Sequence, residues 1–445
     1  MTMKKTFVLA LVVALALALA LFAACDRDGG PSGPAEGGDA PTPTPSSALS
    51  PTPAPTPDPT PGPEPDPAPE LTFEGKIAIV TFDMSYSKEE YSSAEALQKK
   101  YGEDKIVHRV WPVNFSAEPG QMATILQMVA EDPDVRAVIL NGAVINSGAA
   151  VDALLEARPD IFVGYCNPEE EPPDVVNRAN LSIAINEQLR GETIVKQAKA
   201  MGAKAFVHFS LPGDMDVPAI SQRRDDMKDV CEMEGMTFID LTAADPRSEA
   251  RAGDAEKSIL NDMREQVAEL GKNTAFFSPD CALQDPIILG VIQQHAIYPE
   301  PCHPSPYHAL PETFEIATTA YYGTNVGVNE EGMPIDLGNL KNAVEIIEEI
   351  RSLIEDLYAT GRLATWPMPL SMMSTAVATE YAIKWINGEV PQGKGDVDCA
   401  VFEELCEAYI LETTGRRLGV EVNPMSRVGR TYDSYLLVVM DSLVF

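Results

Sequence analysis

The sequence predicts an α/β protein built from two doubly wound, parallel-sheet lobes with a ligand cleft between them. Short β-branched runs alternate with helical stretches, and the rhythm is played twice in succession, which predicts parallel sheets covered on both faces. The chain is 445 residues long and 45 % hydrophobic, enough for two or three units of about 150 residues each. Its 37 Pro are many for a compact protein and concentrate before residue 70, which sets that region apart from the folded body.

Lys4 and Lys5 precede an apolar run from Phe7 to Ala24 that ends in Ala23-Ala24-Cys25, the pattern of a secretory signal peptide over residues 1–24. Residues 25–70 are rich in Pro, Thr, Ser, Gly and acids, as in Pro51-Thr52-Pro53-Ala54-Pro55. Such a segment has no core to bury and favours polyproline II at about 3.1 Å per residue, a semi-rigid tether.

The first lobe opens with the strand Lys76 to Phe82, bounded by Gly75 and Asp83, and a polar helix Lys88 to Lys100. The alternation continues through Lys105 to Val110, Pro119 to Glu131, Ala137 to Leu140, Gly148 to Ala157, Ile161 to Gly164 and Leu181 to Ala184. The second lobe runs through Glu187 to Met201, Ala205 to Phe209, Ile220 to Glu234, Thr237 to Leu241, Glu256 to Leu270, Thr274 to Phe277 and Asp285 to Gln294. A helix from Asn339 to Ala359 carries Leu340, Val344, Ile347, Ile350 and Ile354 at helical spacing as core positions. Residues 71–185 with about 363–391 are expected to form lobe 1 and 186–300 lobe 2. Residues 301–362 and 392–445 carry no lobe assignment, although Tyr435 to Met440 reads as a strand.

The formal charge of −34 argues against nucleic acid, whose phosphates need a positive face. It favours a neutral or cationic solute over a phosphorylated one. Besides Cys25 there are Cys166, Cys231, Cys281, Cys302, Cys399 and Cys406, without CxxC spacing, and pairing and free thiols both stand open. Cys302-His303 with His308 brackets Pro304-Ser305-Pro306, which suits a rigid loop, and no metal is assigned. No G-x-S-x-G, HExxH or Walker-type loop is present, so no catalytic residue and no cofactor are assigned.

Ligands of open α/β sheets bind beyond the carboxyl ends of the strands. There the first lobe offers Asp83, Ser85 and Tyr86, then Asn141 with Gly142, then Tyr165 and Asn167; the second offers Ser210, Asp240, and Ser278 with Asp280. Such a set suits a small polyhydroxylated or amine-bearing solute, with Tyr86, Tyr165 or Trp366 stacking on it. Each has a plainer reading as well: a helix cap for Asp280, a turn for Asn141-Gly142, and packing for the tyrosines and Trp366.

Leu21-Phe22-Ala23-Ala24-Cys25 resembles the bacterial lipobox, with Phe22 where Leu is commonest and Cys25 as the lipidated residue. With the tether and the two lobes, the chain resembles the type I solute-binding proteins of bacterial ABC importers for sugars and nucleosides. Ala275 to Ala282 is similar to that family's strand-Asn-Asp element, with Pro279 replacing the Asn, so Asp280 alone carries over. Ala364 to Pro369, Ser371 to Gly388 and Glu389-Val390-Pro391 are similar to its return crossing. The nearest resemblance is to an uncharacterised lipoprotein family within the superfamily. The resemblance implies an extracytoplasmic, membrane-anchored lipoprotein that delivers a small polar solute to an importer permease, closing about hinges near Ile185-Asn186, Glu300-Pro301 and Met368-Pro369. Two alternatives remain: a ligand-sensing lipoprotein that signals to a membrane partner without transport, and a cell-surface hydrolase.

Overall fold

The computed structural model describes residues 72–247, 252–320, 326–328, 334–336, 339–427 and 429–445. The signal peptide, Cys25 and the tether lie outside the described residues. The described residues belong to one compact unit.

The first lobe starts with β1 (Lys76–Thr81), buried from Ile77 onward, and α1 (Lys88–Tyr101), followed by β2 (Ile106–Val110). Glu89 and Glu90 in the first turn of α1 and Lys99 and Lys100 in its last match the helix dipole, and Gly102 ends it at φ 98°, which a side chain would strain. Next come α2 (Pro119–Glu131), β3 (Val135–Asn141), α3 (Gly148–Ala157), β4 (Phe162–Cys166), α4 (Pro172–Arg178) and β5 (Leu181–Ile185). Sequence periodicity missed α4, because its seven residues are too few to show a period and it opens with two prolines.

The second lobe comprises α5 (Leu189–Ala200), β6 (Ala205–Ser210), α6 (Pro218–Met233), β7 (Thr237–Thr242), α7 (Ala252–Leu270), β8 (Thr274–Phe277) and α8 (Gln284–Gln294). The helix expected from Asn339 begins instead as α9 (Ala343–Asp356), because Asn342 caps it through a 2.9 Å bond from the Glu345 N–H while Asn339–Leu340 pairs as a short ribbon. Ile347, Ile350 and Ile354 are core as expected, but Val344 is 42 % exposed and Ile346 is buried.

The chain then runs through β9 (Ala364–Thr365), α10 (Leu370–Ile386), α11 (Cys399–Thr414), β10 (Val420–Arg427), β11 (Arg430–Met440) and β12 (Leu443–Val444). The first sheet has seven strands in the order β10-β11-β5-β4-β3-β1-β2, parallel except for the β10-β11 hairpin. The terminal strand that had no lobe therefore joins the first sheet, with Tyr435 opposite Ser182. The second sheet, β7-β6-β8, is parallel and extends through bridges from Ala275 to Ile297 and from Tyr298 to Leu363. The two doubly wound α/β lobes predicted from the sequence are present. Each reverses strand order beside its first strand, and ligand crevices open at such switch points.

Helix α10 is buried on almost every face and packs with β3, β4, β5, α1 and α11 in the first lobe's core. The second lobe's core joins Phe209, Phe276, Ile287, Ile288, Ile346 and Ile350. The chain passes between the lobes at Ile185 to Leu189, Trp366 to Leu370 and Met440 to Leu443. The expected hinge at Glu300-Pro301 is not a crossing, because Tyr298 stays paired to Leu363 and Tyr307, Ala309 and Leu310 return to the second core. No helix among the described residues is long and apolar enough to cross a membrane.

Candidate functional site

The carboxyl ends of the first lobe's strands are organised by short polar turns. Asp83 follows β1 and accepts both the Ser85 N–H (2.9 Å) and the Ser85 hydroxyl (2.6 Å), while its carbonyl takes the N–H of Tyr86 and Ser87. Tyr86 is 62 % exposed and lies 4.6 Å from the ring of Phe82 and 5.4 Å from that of Phe115, forming an aromatic ledge at the rim. Asn141 ends β3 fully buried; its amide donates to the Ser371 carbonyl at 2.7 Å and to the Thr375 hydroxyl, tying the start of α10 to the sheet. Its Oδ1 is buried without a partner among the described residues, as is Oε2 of Glu90.

Gly142 has φ +83°, and a Cβ there would meet the Phe82 ring at 2.5 Å. Gly142→Ala is therefore expected to cost about 1–3 kcal/mol in urea unfolding. A loss below about 0.5 kcal/mol would show that the ledge does not depend on this close approach.

The other expected site residues also carry structural roles. Tyr165 packs in the apolar layer with Val151, Leu154 and Val175, its hydroxyl buried without a partner among the described residues, and burial raises its pKa. Asn167 adopts φ 50° and donates its N–H to the Ile183 carbonyl at 2.7 Å, a turn role. Ser210 is buried, and its carbonyl accepts from Ala243. Asp240 lies inside β7 opposite His208 and not past the strand end; it binds His208 Nδ1 at 3.0 Å and the Arg224 guanidinium, which hold its pKa below the ordinary carboxylate value. Asp280 caps the turn Cys281–Leu283 by accepting the Ala282 N–H at 2.8 Å and lies 3.5 Å from Arg247.

Trp366 is in the core, 1 % exposed, and belongs to a charged network that sequence reasoning missed. Its Nε1 donates at 2.8 Å to Glu300, which is bound by Arg190 at 2.8 Å with both side chains almost fully buried. Arg190 also donates to Glu187 at 2.9 Å and to the carbonyls of Pro301 and Cys302 at 3.2 and 3.0 Å, and Arg223 pairs with the same Glu187. Burial raises the pKa of Glu300 despite Arg190. At the half-exposed Glu187 the two guanidiniums outweigh burial and lower it.

The lobes touch in front of this network. Glu89, on the first turn of α1, accepts the Ser371 hydroxyl at 2.9 Å; burial raises its pKa against the charges of the second lobe's nearby His308 and His303. Beside it Cys281, Cys302, His303 and His308 bring their ligand atoms within 4.8 Å of one another. The rigid-loop reading covered the segment 302–308 but not Cys281, which reaches it from the end of β8, so no linear spacing announces the cluster. Two depressions, of about 390 and 400 Å³, lie beside the Met440 crossing, where Glu300 forms part of the wall, and along α11.

The family model described as "Protein of unknown function (DUF3798)" matches residues 75–331. The chain belongs to this family. An uncharacterized protein of Treponema pallidum (strain Nichols) is 26 % identical to this DUF3798 chain over 165 residues, 37 % of this chain and 76 % of the relative. Among solved structures, one described as a "Putative transcriptional regulator" from Clostridium difficile 630 has a TM-score of 0.70 at 21 % identity, covering 84 % of this chain and 100 % of that one; the likeness is one of fold. A sugar ABC transporter protein from Actinomyces odontolyticus has a TM-score of 0.43 at 10 % identity, covering 73 % of the DUF3798 chain and 86 % of its own.

Proposed function

We propose that this DUF3798 protein is an extracytoplasmic lipoprotein, anchored through Cys25, that binds a small polar solute between its lobes and passes it to an ABC importer. The observation that carries the reading is the unspent hydrogen-bonding capacity of Asn141 Oδ1 and Glu90 Oε2 near the first lobe's strand ends, with the exposed Tyr86 ledge at the rim. Buried polar atoms without partners are costly, and a hydroxyl- or amine-bearing solute would satisfy them. Asp83, Ser85 and Tyr86 would contact the solute from one side, and Ser210 and Asp280 from the other. Three crossings let the lobes part and close, with solute stabilising the closed form. A role in transcription, the one in the name of the C. difficile neighbour, is disfavoured by the charge of −34.

The test is a thermal-shift screen of residues 71–445 with sugars, nucleosides, amines and amino acids. A true ligand at 100 times its dissociation constant should stabilise by about 2.7 kcal/mol. Tyr86→Ala, at an exposed position, should weaken it by about tenfold through lost stacking. If no solute shifts the unfolding transition, the binding role falls. If Cys25→Ser leaves acylation and membrane retention unchanged, the anchor falls.

A further inference from the structure

The geometry points to a tetrahedral site for one zinc-class transition-metal ion, formed by Cys281, Cys302, His303 and His308. Cys302 Sγ lies 3.3 Å from Cys281 Sγ, 3.4 Å from His303 Nδ1 and 3.2 Å from His308 Nε2, and Cys281 Sγ lies 3.3 Å from His303 Nδ1. Metal bonds of about 2.3 Å to sulfur and 2.0 Å to nitrogen, set at tetrahedral angles, separate two sulfurs by about 3.8 Å and a sulfur from a nitrogen by about 3.5 Å. The four atoms therefore already stand near the corners such an ion requires. Two thiolates with two imidazoles are the donor set and geometry that select zinc over the hard oxygen-seeking cations.

The ligands are held in place before any ion arrives. Arg190 grips the Cys302 carbonyl at 3.0 Å, and the Cys302 N–H reaches Gln284 Oε1 at 3.3 Å. Pro301, Pro304 and Pro306 fix the backbone of the loop, and Ser305 Oγ accepts the Tyr307 N–H at 3.0 Å. His308 turns Nε2 to the cluster while its Nδ1 lies 3.6 Å from Glu312 Oε2, the carboxylate support that commonly orients a metal-bound imidazole. Cys302 is buried while Cys281 and His303 are exposed, so an ion has a way in. Ion binding forms two metal–sulfur and two metal–nitrogen bonds and releases the thiol protons to solvent, with no change of oxidation state.

All four ligands belong to the second lobe, so the ion would staple the 302–308 loop to the end of β8 directly opposite Glu89 of the first lobe. The site is independent of whether a solute binds between the lobes.

The experiment uses the purified full-length protein, reduced and then dialysed against zinc or cobalt. The expected result is one metal per chain, with tetrahedral visible bands and thiolate-to-cobalt charge-transfer bands in the cobalt form. Cys302→Ser and the pair Cys281→Ser with His303→Ala should abolish binding. The second variant changes exposed positions, so its circular dichroism should stay native. Glu312→Gln should weaken affinity by about 10–100-fold, and Cys399→Ser should leave stoichiometry at one. Three results would each overturn the site: no stoichiometric metal in the reduced protein, metal retained in the exposed double variant, or Cys281 alkylated by iodoacetamide equally fast with and without zinc. A Cys281–Cys302 disulfide whose reduction yields no metal binding would do the same.

Discussion

Replacing Arg190 by Ala should lower the unfolding free energy by about 3–5 kcal/mol at neutral pH. Arg190 is 1 % exposed, and its guanidinium serves Glu300, Glu187 and the carbonyls of Pro301 and Cys302. Removing it strands Glu300, itself 2 % exposed, as a buried carboxylate that keeps, among the described residues, the bond from Trp366. Burial already raises the pKa of Glu300 with Arg190 in place. Without Arg190, folding would take up a proton at Glu300, so the folded state would lose stability as pH rises. The deficit should accordingly be smaller at pH 5 than at pH 8. The double change Arg190→Met with Glu300→Gln should recover much of the loss, because it removes both charges and keeps an acceptor for Trp366. Urea unfolding of the three variants decides the matter. A loss below about 1 kcal/mol for Arg190→Ala would mean that the network is solvated and unimportant for stability.

Glu90 should make stability fall with rising pH, and Glu90→Gln should remove that slope. Burial, reinforced by the neighbouring Glu89, pushes the Glu90 carboxyl from 4.5 up to about 7. A carboxyl whose pKa is raised on folding binds more protons folded than unfolded between those two values. Its contribution is therefore present below the unfolded pKa, declines through the window from 4.5 to about 7, and is gone above it. The full window corresponds to at most about 3 kcal/mol. Unfolding of wild type and Glu90→Gln at pH 5 and pH 8 reads it directly: the variant should gain relative to wild type at pH 8 and little at pH 5. An equal difference at both pH values would place the Glu90 carboxyl in water.

The alternating fold was legible because the central strands are continuous apolar runs, such as Lys76–Thr81 and Ala205–Phe209, set between helices of ordinary length. Pairing was less so. Tyr435 to Met440 reads as a strand, but nothing local tells that Tyr435 will lie opposite Ser182. Helix α11 carries its own signals, an Asp398 cap, Phe402, Cys406 and Ile410 on one stripe, and Gly415 at φ 67° just past its end, but nothing in residues 392–445 tells which lobe it joins. At the junction, Asp83, Ser85, Tyr86 and Asn141 stand at strand ends as topology requires. Asp280 shows its cap role. Arg190 was invisible because one Arg on a polar helix reads as a solvated face, and its partner Glu300 is 110 residues away. Cys281 was hidden for the same reason, since it meets Cys302 only in the folded chain.

Closure of two lobes about a solute is tested most directly by small-angle scattering of residues 71–445, with and without a solute that shifts the unfolding transition. In the proposed cycle the described arrangement is the closed one. The free protein should therefore scatter with the larger radius of gyration, and saturating solute should bring the curve to that of the closed arrangement. Identical curves at saturation would contradict the account.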